Sequence, residues 1–102
     1  MQTITVRELK QRLNAGEDIH LLDVREPSEN AEFNIGGTLL PLGQIHSMQT
    51  EDIDDWKDEE IVVYCRSGNR SGIATQFLEQ MGFTNVKNLV GGVLAWREME
   101  SK

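Results

Sequence analysis

The chain has 102 residues, 38% hydrophobic and 26% charged, a composition typical of one soluble globular domain spanning 1–102. The formal net charge of −7 argues against nucleic acid as a partner, because phosphate binding needs a basic face. No apolar run approaches the roughly 18 residues of a membrane span, and the first ten residues lack a secretory pattern, so we expect a cytoplasmic protein that binds no membrane.

The first half of the chain predicts short helices and strands in alternation. Thr5 and Glu8 form a capping box at the start of a helix over 5–16, and "IHLLDV" at 19–24 predicts a strand. A short helix entered at Pro27 follows, and then an extended segment over 37–42, which Pro41 restricts to an edge or an end of a strand. Helical turns are expected over 43–56, and the acidic segment 51–60 is interpreted as solvated surface.

The second half continues the alternation. "IVVY" at 61–64 predicts a strand buried on both faces. A helix from Ser71 to Gly82, a strand over 85–89 and a final helix over 91–99 complete the pattern. The sequence therefore predicts an α/β fold, with a mostly parallel central sheet of about five strands and helices on both faces.

Cys65 is the only cysteine and directly follows the strand over 61–64. It therefore belongs at the carboxyl edge of the sheet, where parallel α/β folds place their sites, and Asp23 ends another strand at the same edge. With one cysteine and no histidine or cysteine cluster of zinc-ligand spacing, we expect no internal disulfide and no zinc site.

The loop after Cys65 is suited to stabilise a thiolate. If it curls, backbone N–H groups of residues 66–70 can surround the sulfur, and the following helix adds its positive end. Gly68 and Asn69 tolerate the positive φ values of such a curl, while Arg66 and Arg70 add positive charge. We therefore expect a depressed pKa for Cys65, nucleophilic reactivity and an anion site above the sulfur.

Four interpretations of this cysteine are open from the residues alone. An inert core cysteine would not call for a polar loop with two arginines, and a redox sensor would usually have a second, resolving thiol. A cysteine phosphatase has the signature C-x5-R, whereas the spacing from Cys65 to Arg70 is C-x4-R. The smaller ring suits one sulfur atom better than a phosphoryl group, which favours a sulfur carrier.

The chain as a whole resembles a single-domain rhodanese, a sulfurtransferase. "CRSGNRS" resembles the active-site loop of that family, and "LLDVRE", "EFNIGGTLLPL" and "FTNVKNLVGGVLAW" resemble its other signature segments in the same order. One departure is Phe33-Asn34-Ile35, where the family commonly has Gly-His-Ile. The resemblance implies the rhodanese-like three-layer fold.

The resemblance also implies a mechanism. Cys65 would take the outer sulfur of a small anionic donor such as thiosulfate, hold it as a persulfide and pass it to cyanide, a thiol or an acceptor protein. Ser67, Gly68 and Asn69 would shape the cradle, and Arg66 and Arg70 would attract the donor and lower the thiol pKa. Asp23 and Arg25 are expected mainly to support the surroundings of the loop as a pair. The implied mechanism needs no metal or organic cofactor. We expect a monomer.

Two other functions are weighed against this one. The fold could serve as a non-catalytic interaction module, although such a module has no need of the cysteine and both loop arginines. A cysteine-dependent phosphatase or arsenate reductase is the less favoured alternative.

Overall fold

The protein folds around a five-stranded sheet, as shown by a computed structural model that describes residues 2–101. The spatial order of the strands is β1-β5-β4-β2-β3, and every neighbouring pair is parallel. The strands are β1 (Gln2–Ile4), β2 (His20–Asp23), β3 (Thr38–Leu39), β4 (Ile61–Tyr64) and β5 (Val86–Leu89). This architecture confirms the predicted α/β class and the sheet of about five strands.

Residues 2–101 also contain five α-helices and one 3₁₀ helix. They are α1 (Val6–Asn14), α2 (Pro27–Glu32), α3 (Leu42–His46), the 3₁₀ helix Glu51–Trp56, α4 (Asn69–Gln80) and α5 (Gly92–Glu100). The predicted capping box is present at α1, where the Thr5 side chain accepts from the Glu8 N–H and the Glu8 side chain accepts from the Thr5 N–H. The predicted elements from residue 5 onward are all found, with ends shifted by a few residues.

The sheet separates two hydrophobic cores, and β4 contributes to both. Ile61, Val63 and Cys65 belong to one core, together with residues of α3 and α4. Val62 and Tyr64 belong to the other, together with residues of α1 and α5. All four residues of β4 are buried, which confirms the burial on both faces that its continuous apolar sequence predicted.

Two features of the fold differ from the prediction. The edge strand β1 pairs with β5 and was not predicted, because its three residues are too few to show an alternating pattern. Helix α4 begins at Asn69 rather than near Ser71, because Gly68 takes a left-handed conformation with φ of 107° and ends the loop there. Asn69 is therefore helical, and of the two residues that tolerate a positive φ only Gly68 adopts one.

Most of the acidic segment 51–60 lies on the surface, as expected, but Glu60 at its end is partly buried and forms ion pairs with Arg12 and Lys87. Glu51, Asp52, Asp54 and Asp55 are exposed on the 3₁₀ helix, while Ile53 between them is buried. Across residues 2–101, none of the helices has the length and apolarity needed to cross a bilayer.

Candidate active site

Cys65 lies at the carboxyl edge of the sheet, beside the end of β2. Asp23 and Tyr64, the last residues of β2 and β4, are register partners, and the Val24 N–H donates to the Tyr64 carbonyl at 3.1 Å. Cys65 follows directly and is only 1% exposed. The sequence therefore placed Cys65 and Asp23 correctly on one edge.

The loop after Cys65 forms a cradle around its sulfur. The Gly68 N–H donates to Cys65 Sγ at 3.1 Å, and the Ser71 hydroxyl oxygen lies 3.3 Å from the same atom. Burial raises the pKa of the Cys65 thiol, but hydrogen bonds to its thiolate from the Ser71 hydroxyl and from the backbone N–H groups of Ser71, Gly68 and Ser67 outweigh burial. The pKa of Cys65 is therefore below its ordinary value.

Arg70 is held by a glutamate from a different element. Its two terminal nitrogens donate to the two carboxylate oxygens of Glu29 on α2, at 2.7 and 2.9 Å. The hydrogen bond from Arg70 holds the pKa of Glu29 at about 2. The pKa of Arg70 is raised by Glu29 and, to a smaller extent, by the negative charge of the Cys65 thiolate. Arg70 is thus near the sulfur, but Glu29 neutralises much of its charge.

Asp23 and Arg25 form a buried ion pair. Arg25 Nε and Nη2 each donate to one oxygen of the Asp23 carboxylate at 2.9 Å. Arg25 is 4% exposed and Asp23 is 0% exposed. Asp23 also accepts from the Asn30 side chain at 2.9 Å, and Arg25 donates to the Phe33 carbonyl at 2.6 Å. The two predicted residues are therefore paired with each other, and they tie the end of β2 to α2 and to the segment after it.

An open pocket of about 590 Å³ lies next to the loop. Arg66 lines it together with Arg97 of α5, whose guanidinium lies 4.9 Å from the centre of the Phe33 ring. Both arginines are exposed, and neither has an ion pair within residues 2–101. The acids at this pocket are Glu29, which is paired with Arg70, and the exposed Glu32.

The model of the rhodanese-like domain family matches residues 5–99 of the chain. The chain belongs to this family. A protein of Allochromatium vinosum named sulfurtransferase is 43% identical over 94 residues, which cover 91% of this chain and 85% of that protein.

Solved structures of rhodanese-like proteins have the same fold. A rhodanese-like domain protein of Staphylococcus aureus matches with a TM-score of 0.81 and 30% identity, covering 94% of this chain and 91% of that one. The human single-domain sulfurtransferase TSTD1 also matches with a TM-score of 0.81, at 28% identity, covering 96% of each chain. The resemblance that the four sequence segments indicated is confirmed.

Three residues of this rhodanese-like site were not predicted as site residues. Ser71 contacts the sulfur, and its position in the first turn of α4 is the signal that could have identified it, since N–H groups there have no helical partner. Glu29 pairs with Arg70 across 41 positions of sequence, and Arg97 reaches the pocket from α5; no local pattern connects either of them to the loop. Within residues 2–101, no His, Cys, Asp and Glu side chains are grouped so that three could hold a metal ion.

Tyr64, the last residue of β4, holds the segment that follows α2. The Tyr64 hydroxyl donates to the Gly36 carbonyl at 2.9 Å and accepts from the Ile35 N–H at 3.2 Å. Burial raises the pKa of Tyr64 to about 12, so its hydroxyl stays protonated at neutral pH. Tyr64 therefore fixes the segment after α2, which contains the departure Phe33-Asn34-Ile35 from the common family pattern.

Proposed function

We propose that this rhodanese-like protein is a sulfurtransferase that carries sulfur on Cys65. The observation that supports this most directly is the cradle, in which the Gly68 N–H and the Ser71 hydroxyl both lie within hydrogen-bond distance of Sγ. These contacts stabilise a negative sulfur. The related proteins named sulfurtransferase support the same reaction class.

In the first half-reaction, the Cys65 thiolate attacks the outer sulfur of thiosulfate. A bond forms between Sγ and that sulfur, and the bond between the two sulfur atoms of thiosulfate breaks. Its electron pair leaves with the sulfonate group as sulfite. The product is a Cys65 persulfide whose terminal sulfur carries the negative charge, so no external oxidant or reductant is required.

In the second half-reaction, a nucleophile removes the terminal sulfur. Cyanide attacks it, the bond from the sulfur to Sγ breaks, and thiocyanate leaves while Cys65 recovers its thiolate. A thiol, or a thiol on a partner protein, would replace cyanide in the same step and become a persulfide. The covalent intermediate predicts ping-pong kinetics.

Some loop residues act through their backbone N–H groups and others through their side chains. Ser67 and Gly68 act through backbone N–H groups, while Asn69 begins the helix whose positive end faces the sulfur. Arg66 supplies the more available positive charge for the donor, since it has no ion pair within the described residues, and Arg70 is shared with Glu29. Asp23 and Arg25 support the site as an ion pair at the end of β2.

Intact-mass spectrometry tests the proposal. We expect the wild-type protein to gain the mass of one sulfur atom with thiosulfate and to lose it with cyanide, and we expect Cys65→Ser to gain none. The chain has one cysteine, so any added sulfur is assigned without ambiguity.

The absence of added sulfur with thiosulfate and with an organic persulfide would refute sulfur transfer. Hydrolysis of an aryl phosphate that is lost in Cys65→Ser would then identify a phosphatase. A protein that neither accepts sulfur nor hydrolyses phosphate, yet purifies with one stable partner, would be an interaction module.

A further inference from the structure

A chain of buried hydrogen bonds leads from Cys65 to the amide of Asn88 on β5. Cys65 Sγ lies 3.3 Å from Ser71 Oγ, and Ser71 Oγ lies 2.5 Å from Asn88 Oδ1. Asn88 Nδ2 in turn lies 3.2 Å from the Gly68 carbonyl oxygen, and the Gly68 N–H returns to Cys65 Sγ. Ser71 is 0% exposed and Asn88 is 8% exposed, so solvent does not replace these contacts.

The Gly68 carbonyl determines which way the Asn88 amide is oriented. A carbonyl oxygen can only accept, so the amide atom facing it must be the donor Nδ2. The reversed amide would place two acceptors 3.2 Å apart in a buried site, which is unfavourable. Asn88 Oδ1 therefore faces Ser71 and, being an acceptor, takes the hydrogen of the Ser71 hydroxyl.

The hydroxyl of Ser71 has only one hydrogen, so it can donate a hydrogen bond either to Asn88 or to Cys65, but not to both at once. While that hydrogen points to Asn88, Ser71 Oγ can only accept from Cys65, which must then be a thiol that donates its S–H. When Cys65 loses its proton to solvent, Cys65 Sγ and Ser71 Oγ face each other as two acceptors. The hydroxyl must then rotate so that its hydrogen points to Sγ, which leaves Asn88 Oδ1 without that donor.

We propose that Asn88 is a positioning residue for Cys65, because it holds the Ser71 hydrogen in the thiol state and releases it in the thiolate state. Asn88 thus opposes ionisation of the same sulfur that the backbone cradle favours. It also fixes Ser71 as the group that changes from acceptor to donor at the start of sulfur transfer. The inference rests on the proposed function for this last consequence only, since the thiol equilibrium exists without any sulfur donor.

The charged groups around the cradle lie on several elements and are unchanged in the variants that test this inference. They are Arg66 in the loop, Arg70 on α4, Glu29 on α2, Asp23 and Arg25 at the end of β2, and Arg97 on α5.

A double-mutant cycle on the pKa of Cys65 separates this role from simple packing. The four proteins are the wild type, Asn88→Leu, Ser71→Ala and the double variant, and the pKa is read from the thiolate ultraviolet absorbance and from the pH dependence of alkylation by iodoacetamide. We expect Asn88→Leu to lower the pKa by about one unit, because ionisation no longer strands a buried acceptor; this is roughly a tenfold gain in thiolate at low pH. In the Ser71→Ala background the same substitution should leave the pKa unchanged.

A purely structural role would give another result. Asn88 also supports the loop through the Gly68 carbonyl, and loss of that support would move the pKa of Cys65 by the same amount whether or not Ser71 has a hydroxyl. Equal shifts in both backgrounds, or a rise in the wild-type background, would overturn the proposal. Thermal unfolding checks that each variant is folded, and Asn88→Ala replaces Asn88→Leu if the larger side chain is not accepted.

The S–H stretching vibration provides a second test that needs no change at Asn88. At a pH where Cys65 is protonated, we expect its infrared S–H band at lower frequency in the wild type than in Ser71→Ala, because the thiol donates to Ser71 Oγ. Bands at the same frequency would overturn the proposal. Both tests use no sulfur donor, so a positive result together with a failure to form a persulfide would contradict the proposed function and leave this inference standing.

Discussion

At the scale of single residues, the backbone of Cys65 and Arg66 is held by the start of α5. The N–H groups of Val93 and Leu94 donate to the carbonyls of Cys65 and Arg66 at 2.9 and 3.0 Å. Gly92 makes this approach possible, since it has φ of +55° and a Cβ built on it would lie 2.3 Å from the Cys65 carbonyl oxygen. Gly92, the first residue of α5, therefore belongs to the site although it is distant from the loop in sequence.

We predict that Gly92→Ala disturbs both stability and the site. The methyl group must displace backbone rather than a flexible side chain, so we expect a loss of about 2–3 kcal/mol in the free energy of unfolding and slower alkylation of Cys65. Denaturant unfolding and iodoacetamide kinetics measure the two effects. The matched control is Gly43→Ala in α3, where a Cβ meets nothing within 4 Å and should be neutral or slightly stabilising. Equal behaviour of the two variants would show that the contact at Gly92 is relaxed without cost.

At the scale of elements, α2 is held by polar contacts instead of by a hydrophobic face. None of its residues is buried. Its contacts to the rest of the fold include the ion pair from Glu29 to Arg70 and the hydrogen bond from Asn30 to Asp23. Because Arg25 pairs with the same aspartate, the buried pair also determines where α2 can sit.

We predict that Arg25→Met destabilises the protein by about 3 kcal/mol, because it leaves a buried carboxylate without its cation. Amide hydrogen exchange in α2 should increase more than exchange in α1. Lys10→Met, which removes the exposed pair with Glu100, is the control and should change the free energy of unfolding by less than about 1 kcal/mol. If Arg25→Met were as stable as Lys10→Met, the Asp23 carboxylate would have to be satisfied without its arginine.

The elements were largely predictable because their signals are local. The capping box marked α1, the continuous apolar run marked β4, and Pro41 correctly restricted β3 to an edge of the sheet. β1 was missed because a three-residue strand has too short a pattern, and its partner β5 is more than 80 positions away. Likewise α4 began earlier than predicted, since the left-handed Gly68 ended the loop at a point that apolar spacing does not mark.

The site was predictable only in its sequence-contiguous part. Cys65 and its loop followed from a single stretch of sequence, and the pairing of Asp23 with Arg25 followed from their burial and opposite charge. Glu29, Asn88 and Arg97 could not be found in the same way, because each reaches the site from an element whose position depends on the packed fold. The sequence alone therefore does not indicate that these three residues lie at the site, since this depends on the strand register and on the helix positions.

At the scale of the whole molecule, ion pairs join elements at both ends of the sheet. At the carboxyl end, Glu29 connects α2 with α4 through Arg70. At the opposite end, Glu60 precedes β4 and pairs with both Arg12 of α1 and Lys87 of β5, the latter at 2.5 Å. Hydrogen bonds from Arg12, assisted by Lys87, hold the pKa of Glu60 at about 2 against the opposing effect of burial.

These two glutamates predict how stability depends on pH. A carboxylate with a lower pKa in the folded state stabilises the fold above its unfolded pKa, near 4.5, and this contribution is lost as the pH falls towards about 2, because the unfolded chain then binds more protons. We therefore expect the free energy of unfolding to fall steadily between pH 4.5 and 2, measured by denaturant unfolding at a series of pH values.

Glu60→Gln removes the contribution of Glu60 to the pH dependence of stability. The expected loss in the free energy of unfolding depends on how strongly solvent screens the ion pairs of Glu60 with Arg12 and Lys87. The Glu60 side chain is 18% exposed, so we expect a loss on the order of 1 kcal/mol at neutral pH and a shallower decline below pH 4.5. Glu51→Gln is the control, since it removes an exposed carboxylate of the 3₁₀ helix that has no ion pair within residues 2–101. If Glu60→Gln kept the wild-type slope, the acid sensitivity would come from other carboxylates with a lowered pKa, such as Glu29, and the junction of α1, β4 and β5 at Glu60 would contribute little to it.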